Sequence, residues 1–369
     1  MQRAAVRFGG AVLTAWGLAA CATTGAGSGA KGPEQVHMDP IVVHTQPDPL
    51  TGLEGYDAEQ LMEVGRQQMA AEAWDRAVAV FERLLAEFPT SDYVASALYN
   101  TGLCLEHLAE WAQAADRYQR IIDGFAGGET ARDAHFRKAL MMGKLERWED
   151  VANTFWAIRQ LPGLSTLDEL EARVGQGVGM FMQGDYATAE SEFRGALSFY
   201  EDKKKGEFLP AEYWVGQSRF YLGEIYAREM EAIRLSAPAA AEKEWVEMMG
   251  AELEKKCDLL LRAQNNFIRT IRVGHHGWAT AAGFRIGSLY ERLYDDLIQV
   301  PVPPELSEEQ QQVYREELKK RVEVLVTKAI KVYEMSLEMA ERIGQKNEWV
   351  DKTSRSLERM KQLYLARLD

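Results

Sequence analysis

The 369-residue chain is short of cysteine, of basic charge and of long apolar runs, and each shortage removes a class of function. Its three cysteines, Cys21, Cys104 and Cys257, are too few and too widely spaced for a metal knuckle or a disulfide framework. Cys104 and Cys257 fall within helical patterns and read as buried, inert thiols. Acidic side chains outnumber basic ones by 56 to 43, a net charge of −13. Nucleic-acid binding rests on Lys and Arg neutralising phosphates, so nucleic acid is not expected as a partner. Beyond residue 21 nothing approaches the roughly 20 apolar residues of a membrane-spanning helix. There is no Gly-rich phosphate loop followed by Lys, no His-Glu-x-x-His zinc pattern and no Gly-x-Ser-x-Gly elbow. In Gly274-His275-His276-Gly277 two histidines adjoin, but a metal site takes about three or four ligands, and a turn between helices is an ordinary place for such a pair. Glu and Asp recur at helical spacing, as on solvated faces. No catalytic residue, metal or cofactor is expected.

What is present begins at the N-terminus. Met1 to Phe8 carries Arg3 and Arg7, and an apolar run of 12 residues follows from Gly9 to Ala20. Such a run is too short to span a bilayer and reads as an export leader. It ends in Leu18-Ala19-Ala20-Cys21, which resembles the lipobox of bacterial lipoproteins. The resemblance implies removal of residues 1–20 and a covalent lipid on Cys21 that ties the chain to a membrane. The remaining chain would hold 41 basic and 56 acidic groups, a net charge of −15. Ala22 stands where an Asp would imply retention at the inner membrane, so the resemblance implies the outer membrane, facing the periplasm. Residues 21–56 are rich in Gly, Pro, Thr and Asp, including Gly25-Ala26-Gly27-Ser28-Gly29, and read as a flexible tether of about 30 Å end to end. Ile41-Val42-Val43 within it could pair with a sheet edge of another protein, though it reads better as solvated linker.

From residue 57 aromatic residues recur at a fixed period. Trp74, Trp111, Trp148 and Tyr186 are 37, 37 and 38 residues apart. Three series keep step: Gly65, Gly102, Ala139, Gly177; Ala77, Ala114, Val151, Ala189; and Phe81, Tyr118, Phe155, Phe193. A period of this size marks stacked supersecondary units, none of which can bury its apolar face alone. The small residue allows a neighbouring helix to approach. The aromatic four positions after the second small residue shares its helical face and is expected to fill the space between one unit and the next. Trp74 is expected to cap the turn between two helices, and Pro89 to end the unit.

This spacing resembles the tetratricopeptide repeat, an antiparallel helix pair, with about three extra residues between units. Phe88-Pro89-Thr90-Ser91-Asp92-Tyr93, with Ala97, is similar to the unit junctions of envelope lipoproteins of the BamD and YbgF type. Val151 and Ala139 depart from the pattern, so the third copy is the least regular. The fold implied is all-α: a solenoid of four regular hairpins over 57–200, then longer hairpins and a capping helix over 207–369. In the second half Trp214, Phe220, Gly223 and Tyr226 return 64 residues later as Trp278, Phe284, Gly287 and Tyr290. Ala263/Phe267 and Ala329/Tyr333 supply the second-helix markers. The spacing predicts helices near 211–235, 240–272, 278–299, 306–344 and 347–366. Pro301, Pro303 and Pro304 break the chain, and Ser307-Glu308-Glu309-Gln310 reads as a capping box. This stretched pattern resembles the C-terminal parts of large helical-repeat proteins of gliding bacteria.

If the register holds, each first helix turns fixed positions into a groove: Met62, Arg66 and Met69; Tyr99, Leu103 and Glu106; Phe136 and Leu140; Val174, Val178 and Phe181. Such an apolar, Met-containing lining suits an amphipathic helix or an extended hydrophobic peptide, although some of these side chains are expected to pack one unit on the next. The expected function is a non-catalytic scaffold for other envelope proteins, in outer-membrane assembly, secretion or gliding machinery. The alternative is an accessory of a peptidoglycan-remodelling enzyme, or that enzyme itself. Replacing Cys21 with Ala is expected to abolish fatty-acid incorporation and release the protein from the membrane fraction. Unchanged labelling of that variant with a radioactive or clickable palmitate would exclude the anchor.

Overall fold

The computed structural model describes residues 52–125, 128–235, 242–300, 302 and 306–366. The leader, Cys21, all but the last few tether residues, Ile41-Val42-Val43 and Pro301, Pro303 and Pro304 lie outside the described residues. Among the described residues there are thirteen helices and no strand. Four hairpins come first: α1 (Ala58–Ala70) with α2 (Trp74–Glu87), α3 (Val94–His107) with α4 (Trp111–Gly124), α5 (Glu129–Lys144) with α6 (Trp148–Ile158), and α7 (Thr166–Met182) with α8 (Tyr186–Lys203). Two longer hairpins follow, α9 (Glu212–Ala232) with α10 (Glu242–Val273) and α11 (His276–Ile298) with α12 (Glu308–Arg342). The last helix, α13 (Glu348–Leu365), packs on both α11 and α12. Each helix touches the next along the chain, and the buried apolar residues fall into three successive clusters. The molecule is an α-solenoid held by neighbour contacts.

Helix starts follow local chemistry. Asp57, Ser165 and Ser307 each open a helix with a reciprocal capping box. At the last, the Gln310 backbone N–H donates to Ser307 Oγ (3.3 Å), and the Ser307 N–H donates to Gln310 Oε1 (2.9 Å).

One contact recurs inside the hairpins. Gly65 lies against the ring of Phe81, Gly102 against Tyr118, Gly177 against Phe193, Gly223 against Phe267 and Gly287 against Tyr333. A Cβ at any of these glycines would come within 2.2–2.8 Å of the ring, so only hydrogen fits. All five rings are fully buried, and each buried aromatic contributes on the order of 1.5–3 kcal/mol. The ring therefore sits on its own hairpin's first helix, and not between units as the sequence pattern implied. The third hairpin is the exception. Ala139 stands where the others have Gly, and Phe155 turns to Gly175 of the following hairpin, where a Cβ would meet its ring at 2.3 Å. Gly179, one turn on, abuts the Ala152 backbone in the same joint.

The tryptophan that opens each of the first three second helices lies at the joint with the next hairpin. Trp74 stacks flat on His107 of the next hairpin, with ring centroids 3.9 Å apart. The Lys144 ammonium lies 5.5 Å from the centroid of Trp111, and Gln183 Nε2 donates to the Trp148 carbonyl at 3.3 Å. Trp74, Trp111 and Trp148 thus occupy equivalent places, each bridging to the end of the following first helix.

The turns within the four regular hairpins share a left-handed residue: Glu72 (φ 57°), Ala109 (φ 59°), Glu146 (φ 55°) and Gly184 (φ 86°). The next N–H in each turn donates back into the first helix, as from Ala73 to the Gln68 carbonyl (2.9 Å) and from Glu110 to Leu105 (2.9 Å). This is the helix-ending motif that normally takes glycine, yet only the fourth hairpin has one. Opposite outcomes are expected from opposite exchanges in one hairpin. Gly102→Ala should destabilise by about 1–3 kcal/mol by driving a methyl into Tyr118. Ala109→Gly should stabilise by about 0.5–1 kcal/mol by relieving the left-handed strain. Urea and thermal midpoints of the two variants check this.

Candidate functional site: the first-helix groove

Several first helices touch the next: α3 meets α5, α7 meets α9 and α9 meets α11, and α11 meets the last helix, α13. The second helices stand farther apart, so the array curves with its first helices on the inner face. That face carries the positions expected to line a groove.

The structure divides those positions. Arg66 is exposed, and Met69, Leu103, Leu140 and Val178 are half-buried, so these five present surface on the inner face. Met62, Phe136, Val174 and Phe181 are buried and do not line an open groove. Phe136 meets Phe155 edge-on at 6.2 Å, and Phe181 lies 4.9 Å from Tyr221 and 5.3 Å from Tyr186. These four are packing residues because the hairpins close on them. Tyr99 is half-buried with its ring edge-on to Tyr118 at 5.8 Å. One exposed residue was missed: Met182, at the end of α7. Its signal was available, because it keeps the repeat register of His107 and Lys144.

Glu106 belongs to the packing as well. It accepts from the Tyr118 hydroxyl at 2.6 Å and from Arg137 Nη1, on the next first helix, at 3.0 Å. Burial and the Glu106 carboxylate push the Tyr118 phenol far above its ordinary range. Burial works against the Arg137 charge, but Glu106 outweighs it and the guanidinium is held more firmly protonated. The arrangement returns in the last hairpin. Tyr333 donates to Glu291 at 2.6 Å, and Glu291 is paired with Arg359 of α13. Glu106 is four residues after Gly102 and Glu291 four after Gly287. Where the packed ring is a phenylalanine, as at Phe81, Phe193 and Phe267, the corresponding residue is Met69, Phe181 or Ala227. A buried hydroxyl needs an acceptor, and the carboxylate appears where the ring carries one.

Further along the inner face, the carboxylates of the long hairpins are also tied. Arg285 reaches from α11 to Glu224 and, at 3.2 Å, to Glu231 on α9; Arg359 holds Asp295 at 2.9 Å. Burial raises the Glu224 pKa even against the opposing pull of Arg285. Each of these carboxyl groups serves helix–helix contact.

The remaining candidates resolve into structure. His275 Nδ1 accepts from the Trp278 N–H at 3.3 Å and caps α11, while the ring meets Tyr213 edge-on at 5.2 Å. Burial and then His276 lower the His275 pKa, which favours the neutral ring that capping requires. Among the described residues no three His, Cys, Asp or Glu side chains gather as metal ligands. Burial pushes the Cys104 thiol up to about 12 and raises Cys257 too, so both thiols are poor nucleophiles at neutral pH. An open depression of about 530 Å³ lies beside the α8–α9 loop, lined by Tyr200, Lys204, Lys205 and Phe208 among others. Lys205 pairs with Asp202 at 2.9 Å, and no convergent catalytic group faces the depression.

Residues 61–91 and 96–126 each match the model of the tetratricopeptide repeat. The chain carries tetratricopeptide repeats. Such repeats build surfaces that bind other proteins or peptides. Among solved structures, the chain is similar to a tetratricopeptide repeat protein from Parabacteroides merdae, at 13% identity and a TM-score of 0.38, over 82% of this chain and 98% of that one. It is also similar to YrrB, described as a TPR protein with an unusual peptide-binding site, at 16% identity and a TM-score of 0.37, over 57% and 86% of the two chains. MamA from Desulfovibrio magneticus aligns at 11% identity and a TM-score of 0.37, over 55% and 94%. No curated protein matches the chain.

The Tyr118–Glu106 pair makes a testable unit. Glu106→Met should cost about 1–3 kcal/mol by leaving the buried hydroxyl unpaired. Adding Tyr118→Phe, which recreates the Phe81–Met69 pair of the first hairpin, should return most of that loss. A double-mutant cycle in urea that shows simple additivity would refute the assignment.

Proposed function

We propose that the protein is a non-catalytic, lipid-anchored scaffold of the bacterial cell envelope, and that its inner face over α1 to α7 receives a hydrophobic or amphipathic segment of a partner protein. The observation that carries this reading is the uneven use of the inner face. Over the first four hairpins Met69, Leu103, Leu140 and Val178 keep partly exposed apolar surface, and Arg137 to Glu106 is the ion pair found between first helices there. From α9 onward the corresponding face is closed by ion pairs between first helices. Half-exposed Met and Leu on a curved helical wall suit a partner helix laid into the groove or an extended peptide, and Met adapts to more than one shape.

Attachment through Cys21, with a tether to residue 56, would keep this face near the membrane while leaving it free to turn. By the lipobox resemblance the membrane is the outer one and the scaffold faces the periplasm. Such an adaptor would suit an assembly, secretion or motility complex of the envelope. On the inner face half-buried Glu224 and buried Glu291 are each bound by an arginine, which favours a scaffold over a peptidoglycan-cleaving enzyme.

Photo-crosslinking side chains at Leu103 and Leu140 are expected to capture a discrete envelope protein in living cells. The same probe at Trp156, exposed on second helix α6, should not capture it. Equal capture from all three positions would refute the groove.

A further inference from the structure

The loop between α8 and α9 carries the most exposed large apolar side chain of the described residues. Phe208 is 88% exposed, and no other exceeds 59%. Its neighbours in the chain are pinned on both sides. Thr166 Oγ1 donates to Glu207 Oε1 at 2.7 Å. Leu209 is buried in the core of α7 to α9, and Pro210 restricts the backbone that follows. The ring is therefore held away from the chain's own core.

Basic side chains gather at the same corner. Lys203, Lys204 and Lys205 are exposed where α8 ends, in a chain whose net charge is −13. Lys204 and Lys205 pair with Glu201 and Asp202 on their own helix end, but exposed pairs of this kind are weak and screened. Close by are Arg219 of α9, half-buried, and Arg269 of α10, exposed. Among the described residues neither guanidinium has a hydrogen bond or an ion pair. Burial and then the neighbouring Arg269 lower the Arg219 pKa, while Glu201 and Tyr200 of α8 oppose them. Tyr200 also lines the open depression of about 530 Å³, together with Lys204, Lys205 and Phe208.

We propose that this corner docks on the phosphate-bearing surface of a bilayer, with Phe208 entering between headgroups and the lysines and arginines meeting their phosphates. An apolar side chain ringed by cations is the pattern of a shallow interfacial contact, and each basic group near an anionic surface strengthens it. Guanidinium matches phosphate oxygens with two parallel donors. A free phosphate or an acidic peptide would match the charges, but a phospholipid surface also takes up a protruding ring. The course of the chain points the same way. First helices begin and second helices end on one edge of the array, so residues 21–56 reach α1 on the edge that carries Phe208. This last step rests on the proposed anchor at Cys21; the charge and exposure of the corner do not.

Vesicle flotation tests the contact on the chain from residue 21 with Cys21→Ala, separately from the anchor, which palmitate labelling tests. The chain should float with vesicles of equal parts phosphatidylglycerol and phosphatidylcholine and stay behind with phosphatidylcholine alone. It should detach in about 1 M salt, where the screening length falls to about 3 Å. Phe208→Ser, and the triple exchange Lys203→Gln, Lys204→Gln, Lys205→Gln, should each lower the partition coefficient about tenfold without changing the thermal midpoint. Arg269→Gln should lower it about fivefold. Val313→Ser, exposed near the start of α12 at the opposite edge, should leave it unchanged. Equal binding to both vesicles, binding to neither, or a loss from Val313→Ser as large as from Phe208→Ser would overturn the proposal. So would binding of inorganic phosphate or of a polyglutamate peptide without flotation.

Discussion

The contact on which the molecule depends is a hydrogen atom where any side chain would be too large. In five of six hairpins a glycine on the first helix lets an aromatic ring of the second lie on the helix backbone. The ring fixes both the distance and the rotation of the two helices, because it fits only above that glycine. The long hairpins keep the joint with arms that differ greatly in length. Gly223 and Phe267 are 44 residues apart, Gly65 and Phe81 only 16, so hairpin length varies freely as long as the seat and the ring meet.

With each hairpin fixed internally, the joints between hairpins can differ. The first two set an indole at the start of a second helix against the end of the next first helix, on a stacked imidazole and then an ammonium, and the third uses the Trp148 backbone carbonyl, which accepts from the Gln183 amide. Between the third and fourth, Phe155 leaves its own hairpin for Gly175. From α7 onward aromatic rings run almost continuously, from Tyr186 through Phe181, Tyr221, Phe220 and Trp278 to Trp349. This half is further tied by Lys256, fully buried, whose ammonium donates to the carbonyls of Met230 and Ile233 at 2.8 Å each and lies 2.7 Å from Asp296. One side chain caps the end of α9 and joins α10 to α11. Breaking it would leave a buried charge, the costly direction for such a pair.

How far the sequence could be read follows from which physics leaves a mark in residue type. The all-α solenoid and the markers Gly65, Gly102, Gly177, Gly223 and Gly287 were legible because excluded volume demands glycine. What a marker touches was less so: periodicity shows that Phe81 recurs, not whether its ring faces its own hairpin or the next. The left-handed turns at Glu72, Ala109 and Glu146 were hidden, since neither Ala nor Glu announces a positive φ and only Gly184 does. Lys256 was hidden too, because Lys255-Lys256 looks like solvent-facing charge until the fold buries one of them. At the candidate site the exposure of individual positions was hidden. Met62, Phe136, Val174 and Phe181 lie on the first helices, but neighbouring helices cover them, and one helix's period carries no information about its neighbour's distance. Glu106 was misread for a related reason, since its partner Arg137 is 31 residues away in another hairpin.

The two halves tie their inner faces to different degrees, and the reason is geometric. A hairpin with short arms ends close to its glycine joint and is held largely there, and the tie between first helices in this half is Arg137 to Glu106. Hairpins with arms of 21 to 35 residues carry long levers that splay apart unless they are tied away from the joint. The ties fall on the inner face, where first helices approach most closely: Arg285 to Glu224 and Glu231, and Arg359 to Glu291 and Asp295. Side chains committed to such ties cannot also serve a partner. On the proposed reading the long hairpins are therefore the rigid mount, and recognition is left to the short ones, where Leu103 and Leu140 keep exposed surface.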